Sequence, residues 1–539
     1  MIENRVRYPI GEQDFKKLRE NGCVYVDKTY LIPELTWGGG FLFLARPRRF
    51  GKSLLLSTLH YYFDGAKELF EGLWIGEHEK EWKRYPVLHF DMSRCAAQSA
   101  DEMKGFLHRR LEEYEKKYEI GPNGNIEDVG ERFSILIQSI SEKAECNVVI
   151  LIDEYDKGIL ETMDDPARLE DMSIILRAFF SQPKAMSKYV HFCMVTGVAR
   201  FPNYTLFSGP NNLSDISMNR RFASICGITQ QELVDNFQPG IAELGEFNDW
   251  TKEETIEALR LKYDSYRFTP SQEKVYNPFS LLNAFYHGEL DNYWIKSGIS
   301  RVFVKYLSRS EFDLLELQDL WVDKKRMEDI FRKEDSIPLL FQTGYLTIVE
   351  TKGQSLFRLA IPNGEVRSAL VDQLLPRYLG INVDRLPMLL EDLKEKVLSA
   401  DIDGWIKELQ QLVSKVPYHL YGKTSDEGEE DTNVNSIERF ERTYHIIVHI
   451  IFQLLSLDAR SEICVSGGRI DMVVETSKLI YVIEFKLDGK PQEAIAQIDS
   501  KSYLLSWSAD GRAVYKIGIV FSSQNRSISD WEYITGLRQ

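Results

Sequence analysis

Five apolar residues, Phe41 to Ala45, run without a break into Arg46-Pro47-Arg48-Arg49-Phe50-Gly51-Lys52-Ser53 and then into LLLSTLHYYF at residues 54–63. A short, wholly apolar run reads as a strand covered by helices on both faces, and the segment after the turn has the composition and length of a helix. Strand, tight turn and helix in this order confine the chain to a layered α/β arrangement. Two more such runs, VVILI at 148–152 and HFCMV at 191–195, have helix-period segments between them. The expectation is a doubly wound parallel sheet occupying residues 1–235.

Polar residues stand at the ends of these runs, where burial alone would not place them. The Gly51-Lys52-Ser53 triplet at a strand-to-helix turn is what phosphate binding needs. Glycine lets backbone N–H groups approach an anion, the helix start favours negative charge, Lys52 reaches outer phosphates and Ser53 is a Mg2+ ligand. Arg49, Gly51, Lys52 and Ser53 are therefore candidate phosphate contacts. Arg46 stands where the usual G-x-x-x-x-G-K-S pattern has its first glycine. Asp153 and Glu154 follow VVILI directly. A carboxylate at that place holds Mg2+, and a following glutamate polarises the attacking water, which gives Asp153 the metal role and Glu154 the catalytic one. Thr196, at the end of HFCMV, is a candidate sensor of the outer phosphate, with Arg200 near it.

A second constellation lies near the other end. Residues 468–475 (GRIDMVVE) and 479–487 (LIYVIEFKL) read as two strands joined by a short turn. A two-residue turn centred on Ser477-Lys478 pairs Thr476 with Leu479 and, carried down the ladder, Asp471 with Glu484. Period-two alternation adds Lys486 to the same face. Opposed carboxylates repel unless a cation sits between them. Mg2+ or Mn2+ held by Asp471 and Glu484, with Lys486 alongside, resolves the conflict.

Between the two constellations the reading is coarser. Residues 236–400 are expected to be a helical region with a winged-helix-like part, carrying a hairpin around Lys352-Gly353. The acidic stretch SDEGEED (425–431) reads as a solvated loop inside, or just ahead of, a last domain spanning 401–539. That domain has an α/β/α order: an amphipathic helix over 437–455, the hairpin, a helix over 491–506 and a strand over 515–521. At 539 residues several cores are needed. The net charge of -16 excludes a uniformly basic surface but not a local basic groove. Six scattered cysteines without zinc spacing read as buried thiols of a reducing, cytoplasmic protein. No apolar run is long enough for a spanning helix, so no membrane partner is expected.

The stretches YPIGEQDFKKLRE (8–20), YVDKT (25–29), RPRRFGKS (46–53), LIDEYD (151–156), TGVARF (196–201), NNLSDIS (211–217), YNPFSLL (276–282) and GYLTI (344–348) together give a resemblance. The chain resembles a prokaryotic family with an AAA-ATPase-like N-terminal domain fused to a PD-(D/E)XK nuclease-like, restriction-endonuclease-like C-terminal domain. Arg46 in place of the first glycine is itself a mark of that family. The resemblance implies ATP as ligand and a D-x(n)-E-x-K metal core made of Asp471, Glu484 and Lys486. It also implies Glu441 as a helical acid and Gln497 as the glutamine that follows the core. A homo-oligomer is compatible with it.

The expectation is thus an ATP-binding and hydrolysing module coupled to a Mg2+-dependent nuclease acting on DNA or RNA. The alternative is a nucleotide-dependent switch whose C-terminal domain binds nucleic acid without turnover. A third reading, phosphotransfer or scaffolding without nucleic acid, rests on the N-terminal site alone.

Overall fold

The computed structural model describes residues 6–296 apart from 38–39, 96, 122–124, 164 and 202–212; 320–370 apart from 329–334 and 354; 386–414; and 444–536 apart from 446, 450, 453–454, 456–457, 466–467, 477, 502–503, 505–506 and 508–510. The chain groups into two compact units, Met1–Phe312 with Trp321–Glu365, and Asp313–Leu320 with Val366–Gln539. The expected boundaries at 235 and 400 fall inside these units.

In the first unit, β1 (Phe41–Ala45), β2 (Val87–Asp91), β3 (Val148–Asp153), β4 (Val190–Gly197) and β5 (Leu213–Asp215) form one parallel sheet in the order β2-β3-β4-β1-β5. All six residues of β3 are buried, which is why its sequence is apolar up to the terminal aspartate. β4 lies between β1 and β3, so the ends of the three strands that carry Ala45, Asp153 and Thr196 share one edge. Helices Ala100–Lys117, Val129–Ala144 and Pro166–Phe180 cover one face through Leu107, Phe133, Leu136, Met172 and Phe179. Each starts at a side-chain cap, from Ser99, Asp128 and Asp165, that satisfies N–H groups of the first turn.

The helices after residue 229 build a second core from Leu233, Phe237, Ile241, Leu259, Leu281 and Phe285. Helix Pro278–His287 begins with Asn277 accepting from the N–H groups of Phe279 and Ser280 and with proline at its first position, so Asn-Pro is a start signal. Further on, β6 (Leu320–Asp323), β7 (Thr347–Lys352) and β8 (Leu356–Ala360) form a three-stranded sheet. β7 and β8 are the hairpin expected around Lys352-Gly353.

The second unit holds a five-stranded mixed sheet ordered β13-β12-β11-β10-β9, made of β9 (Asp458–Val465), β10 (Gly468–Glu475), β11 (Leu479–Leu487), β12 (Ala513–Ser522) and β13 (Ser527–Gly536). β11 and β12 are parallel, so the chain crosses over between them through helix Pro491–Ser500. That helix covers the face carrying Val473, Ile480 and Val482, which cluster with its Ile498. On the other side, Trp405 of helix Ile402–Val413 meets the Tyr481 ring at 6.0 Å, and Gln410 donates to the Ile528 carbonyl at 2.6 Å. Of the expected helix over 437–455, residues 444–445, 447–449 and 451–452 are helical. Among the described residues no helix is long and apolar enough to cross a membrane.

Candidate functional sites

The turn after β1 has the geometry its sequence requires. Gly51, at φ 96°, caps helix Lys52–Phe63, and Arg49 also takes a left-handed conformation at φ 69°. Left-handed residues in a short turn are one means by which backbone N–H groups come to line an anion-binding cradle. Lys52 is buried and donates to the carbonyls of Arg46 and Pro47 at 2.9 and 3.0 Å. Burial lowers its pKa, opposed by the nearby carboxylates of Asp153, Asp156 and Glu154.

Arg46 faces away from this cradle. It is 1% exposed and donates to the carbonyls of Ala45, Ser217 and Phe222 at 2.9, 2.8 and 3.1 Å, with its guanidinium 4.9 Å from the Phe268 ring centre. The residue at the first-glycine position is therefore an internal brace between the turn and the chain that follows β5.

At the end of β3, Asp153 is buried and Thr196 donates to its Oδ1 at 2.6 Å. Glu154 adopts φ 50°, and its N–H also donates to Asp153 Oδ1. A left-handed glutamate costs about 1 kcal/mol and turns the chain sharply at the sheet edge. Asp156 anchors this turn by accepting from the N–H groups of Val198 and Ala199, both at 2.7 Å. Burial raises its pKa to about 6, against the N–H of Ala199 and the charge of Lys52.

A cavity of about 510 Å3 opens beside the cradle, within the size range of small-molecule sites. Gly51, Lys52, Ser53 and Glu154 line one part of it, and Ile10, Phe279, Leu282 and Trp294 supply apolar wall. Thus YPIGEQDF and YNPFSLL, far apart in sequence and without a role legible there, meet the phosphate-type turn in one place. The N-terminal stretch is tied down at both ends. Phe15 N–H donates to Ser57 of the helix after the turn, and the Tyr8 ring lies 5.7 Å from that of Phe285. Arg49 lines the cavity with its guanidinium 4.8 Å over Phe279, while Trp294 Nε1 donates to the Arg48 carbonyl.

Two expected contacts are placed elsewhere. Thr196 is fully buried and its hydroxyl positions the Asp153 carboxylate; neither residue is part of the cavity wall. Arg200 pairs with Asp215 at 3.1 Å and lines a separate small pocket. Arg48, Lys157 and Glu161 also line the main cavity, and the sequence reading missed them. The position of Arg48 inside RPRRFGKS was the signal available for it.

In the second unit the expected hairpin register is present. Thr476 N–H donates to the Leu479 carbonyl, and Met472 pairs with Ile483; one step further along this ladder Asp471 stands opposite Glu484. Phe485 N–H donates to Asp471 Oδ2 at 2.8 Å, fixing the carboxylate beside Glu484. Glu484 is 1% exposed. Burial, then Asp471, pushes its pKa up to about 8, and burial also raises that of Asp471. Gln497, on the crossover helix, donates its amide to Glu484 and accepts from Lys486 Nζ at 2.7 Å. One glutamine thus locks the acid and the lysine in place, with its oxygen toward the cation. Glu441 lies outside the described residues.

A buried glutamate and a part-buried aspartate side by side, the aspartate raising the pKa of the glutamate, form a hard-oxygen donor set suited to Mg2+ or Mn2+, which are held by one or two carboxylates plus substrate phosphate.

Residues 9–207 match the family described as predicted AAA-ATPase, and residues 439–531 match the PD-(D/E)XK nuclease superfamily. An uncharacterised protein in the vnfD 5′ region of Azotobacter chroococcum mcd 1 is 32% identical over 538 residues, covering 97% of this chain and 98% of that protein. No solved structure matches. Sheet order, cradle and hairpin agree with both domain matches, and the chain belongs to the family that fuses an AAA-ATPase-like domain to a PD-(D/E)XK nuclease-superfamily domain.

Proposed function

We propose that this chain binds and hydrolyses ATP with Mg2+ in its first unit and cleaves nucleic-acid phosphodiesters with Mg2+ or Mn2+ in its second. The observation that carries the nuclease half is the convergence of Asp471, Glu484, Lys486 and Gln497 on one sheet face. A metal bound there supplies an activated water and neutralises charge on the phosphate. Asp471 and Glu484 hold it, and Lys486, steadied by Gln497, places a positive charge beside the attacked phosphate. A module that only bound nucleic acid would gain nothing from opposing two carboxylates, one of them buried.

The nucleotide half is supported by the cavity. Its cradle end takes the phosphates, with Lys52 exchanging the Arg46 and Pro47 carbonyls for phosphate oxygens. Ser53 and the Thr196-supported Asp153 serve Mg2+, and Glu154 orients the attacking water. The apolar wall of Ile10, Phe279 and Leu282 takes the base. Nucleotide state governs access of the nucleic acid to the second site.

The test is cleavage of single- and double-stranded DNA and RNA by the purified chain with Mg2+ or Mn2+, with and without ATP. Metal-dependent product that disappears in Glu484→Ala is expected, with an ATP dependence that disappears in Lys52→Ala. No product on any substrate would leave the nucleotide-switch alternative, with the second unit as a binder.

A further inference from the structure

Breaking the outer phosphoanhydride of ATP needs more positive charge than one P-loop lysine supplies, because charge builds on the transferred phosphoryl group as the bridging bond lengthens. The cations near this site differ in how they are held. Arg46 is buried on three carbonyls, and Arg200 is paired with Asp215 on a different pocket. The cations lining the main cavity besides Lys52 are Arg48, Arg49 and Lys157. Arg49 is stacked on Phe279, and Lys157 donates to the Ser93 carbonyl.

Arg48 is different. Its peptide is clamped by the indole N–H of Trp294 at 3.1 Å, while among the described residues no hydrogen bond or ion pair holds its exposed guanidinium. Its charge is felt, together with those of Lys157 and Glu154, at the exposed Glu161 on the cavity wall. The backbone is thus fixed while the charge is left available on the wall of the cavity that Glu154 also lines.

We infer that Arg48 supplies, from the P-loop of the same chain, the cation that hydrolysis sets against the outer phosphate, so that no arginine from a second copy is required. This rests on the nucleotide reading above and goes beyond it. In the step, the water oxygen forms the new bond to the γ-phosphorus and gives a proton to Glu154. The bridging P–O bond breaks with its electron pair leaving on ADP, and Arg48 offsets the charge on the equatorial oxygens.

Phosphate release from Mg·ATP by the full chain, Arg48→Ala and Arg49→Ala would be followed, with affinity for a fluorescent ATP analogue measured in parallel. The expected result is a turnover loss of about a thousand-fold in Arg48→Ala. Analogue affinity should stay within a few-fold, and the loss in Arg49→Ala should be much smaller. Wild-type turnover per molecule should not change on hundred-fold dilution, and mixing Arg48→Ala with Lys52→Ala should restore nothing. Turnover of Arg48→Ala within about threefold of wild type, or recovery on mixing, would overturn the inference. A wild-type chain that binds the analogue but does not turn over alone would also overturn it while leaving the nucleotide site intact. Failure to bind at all would remove the nucleotide reading itself.

Discussion

Thr196 donates its hydroxyl hydrogen to Asp153 Oδ1 across 2.6 Å, at the ends of two adjacent parallel strands. Both side chains are buried, so the bond fixes which carboxylate oxygen remains free. Thr196→Val keeps the shape and removes the donor, leaving Asp153 one N–H partner from Glu154. Partners of this kind are worth roughly 10- to 100-fold in metal affinity. A Mg2+ titration of ATP turnover should therefore shift at least tenfold to higher Mg2+ in Thr196→Val, and Thr196→Ser should restore it. Superimposable Mg2+ curves would count against the positioning role.

Restoring the usual glycine at the start of the P-loop should harm this protein. Arg46→Gly deletes three hydrogen bonds to carbonyls inside the fold, of which that of Phe222 keeps the N–H of Ile225. Hydrogen bonds from a charged donor are worth about 1.5–3 kcal/mol each, and such losses are not additive. A destabilisation of about 3 kcal/mol or more is expected, seen as an earlier thermal transition. An unchanged transition would mean that the brace contributes nothing.

In the second unit, Gly518 of β12 pairs with Glu484 of β11, beneath the crossover helix. A Cβ at Gly518 would lie 2.4 Å from the Pro491 carbonyl oxygen and 2.9 Å from Ala494 Cβ. The helix would have to lift, and Gln497 would move with it. Gly518→Ala should cost about 1–3 kcal/mol and reduce metal-dependent cleavage more than that loss explains. Cleavage at the wild-type rate with an unshifted melting transition would contradict the close packing.

Local chemistry carried much of this architecture in the sequence. The runs FLFLA, VVILI and HFCMV became β1, β3 and β4, since a strand covered on both faces has no room for alternation. The Asp471–Glu484 register followed from turn length alone. VLHFD, with His89 inside it, is not among those runs, yet it forms β2 at the sheet edge. Arg46 looked like a phosphate-loop departure because its acceptors, at Ser217 and Phe222, are supplied by chain more than 170 residues away. The cavity was illegible for the same reason. Ile10 and Phe279 reach it only through tertiary packing, although the Asn277-Pro278 cap that orients Phe279 is a local signal.

Glu365 connects proton concentration to the cradle. It is fully buried, accepting from Ser280 Oγ and from the N–H of Trp294, both at 2.7 Å, and Trp294 in turn holds the Arg48 carbonyl. Burial raises its pKa to about 7. Unfolded, the group titrates near 4.5, so between these values the folded chain holds a proton that the unfolded chain has lost. Stability contributed by the protonated form is complete below about 4.5, falls as pH rises to about 7 and is then flat, with a span of at most about 3 kcal/mol. Glu365→Gln keeps an acceptor for Trp294 N–H and offers a donor to Ser280 without titrating. The stability difference between Glu365→Gln and wild type, followed by denaturation from pH 5 to pH 8, should therefore grow in favour of the variant as pH rises. A difference that stays constant, or shrinks, would show that Glu365 does not hold a proton in that window.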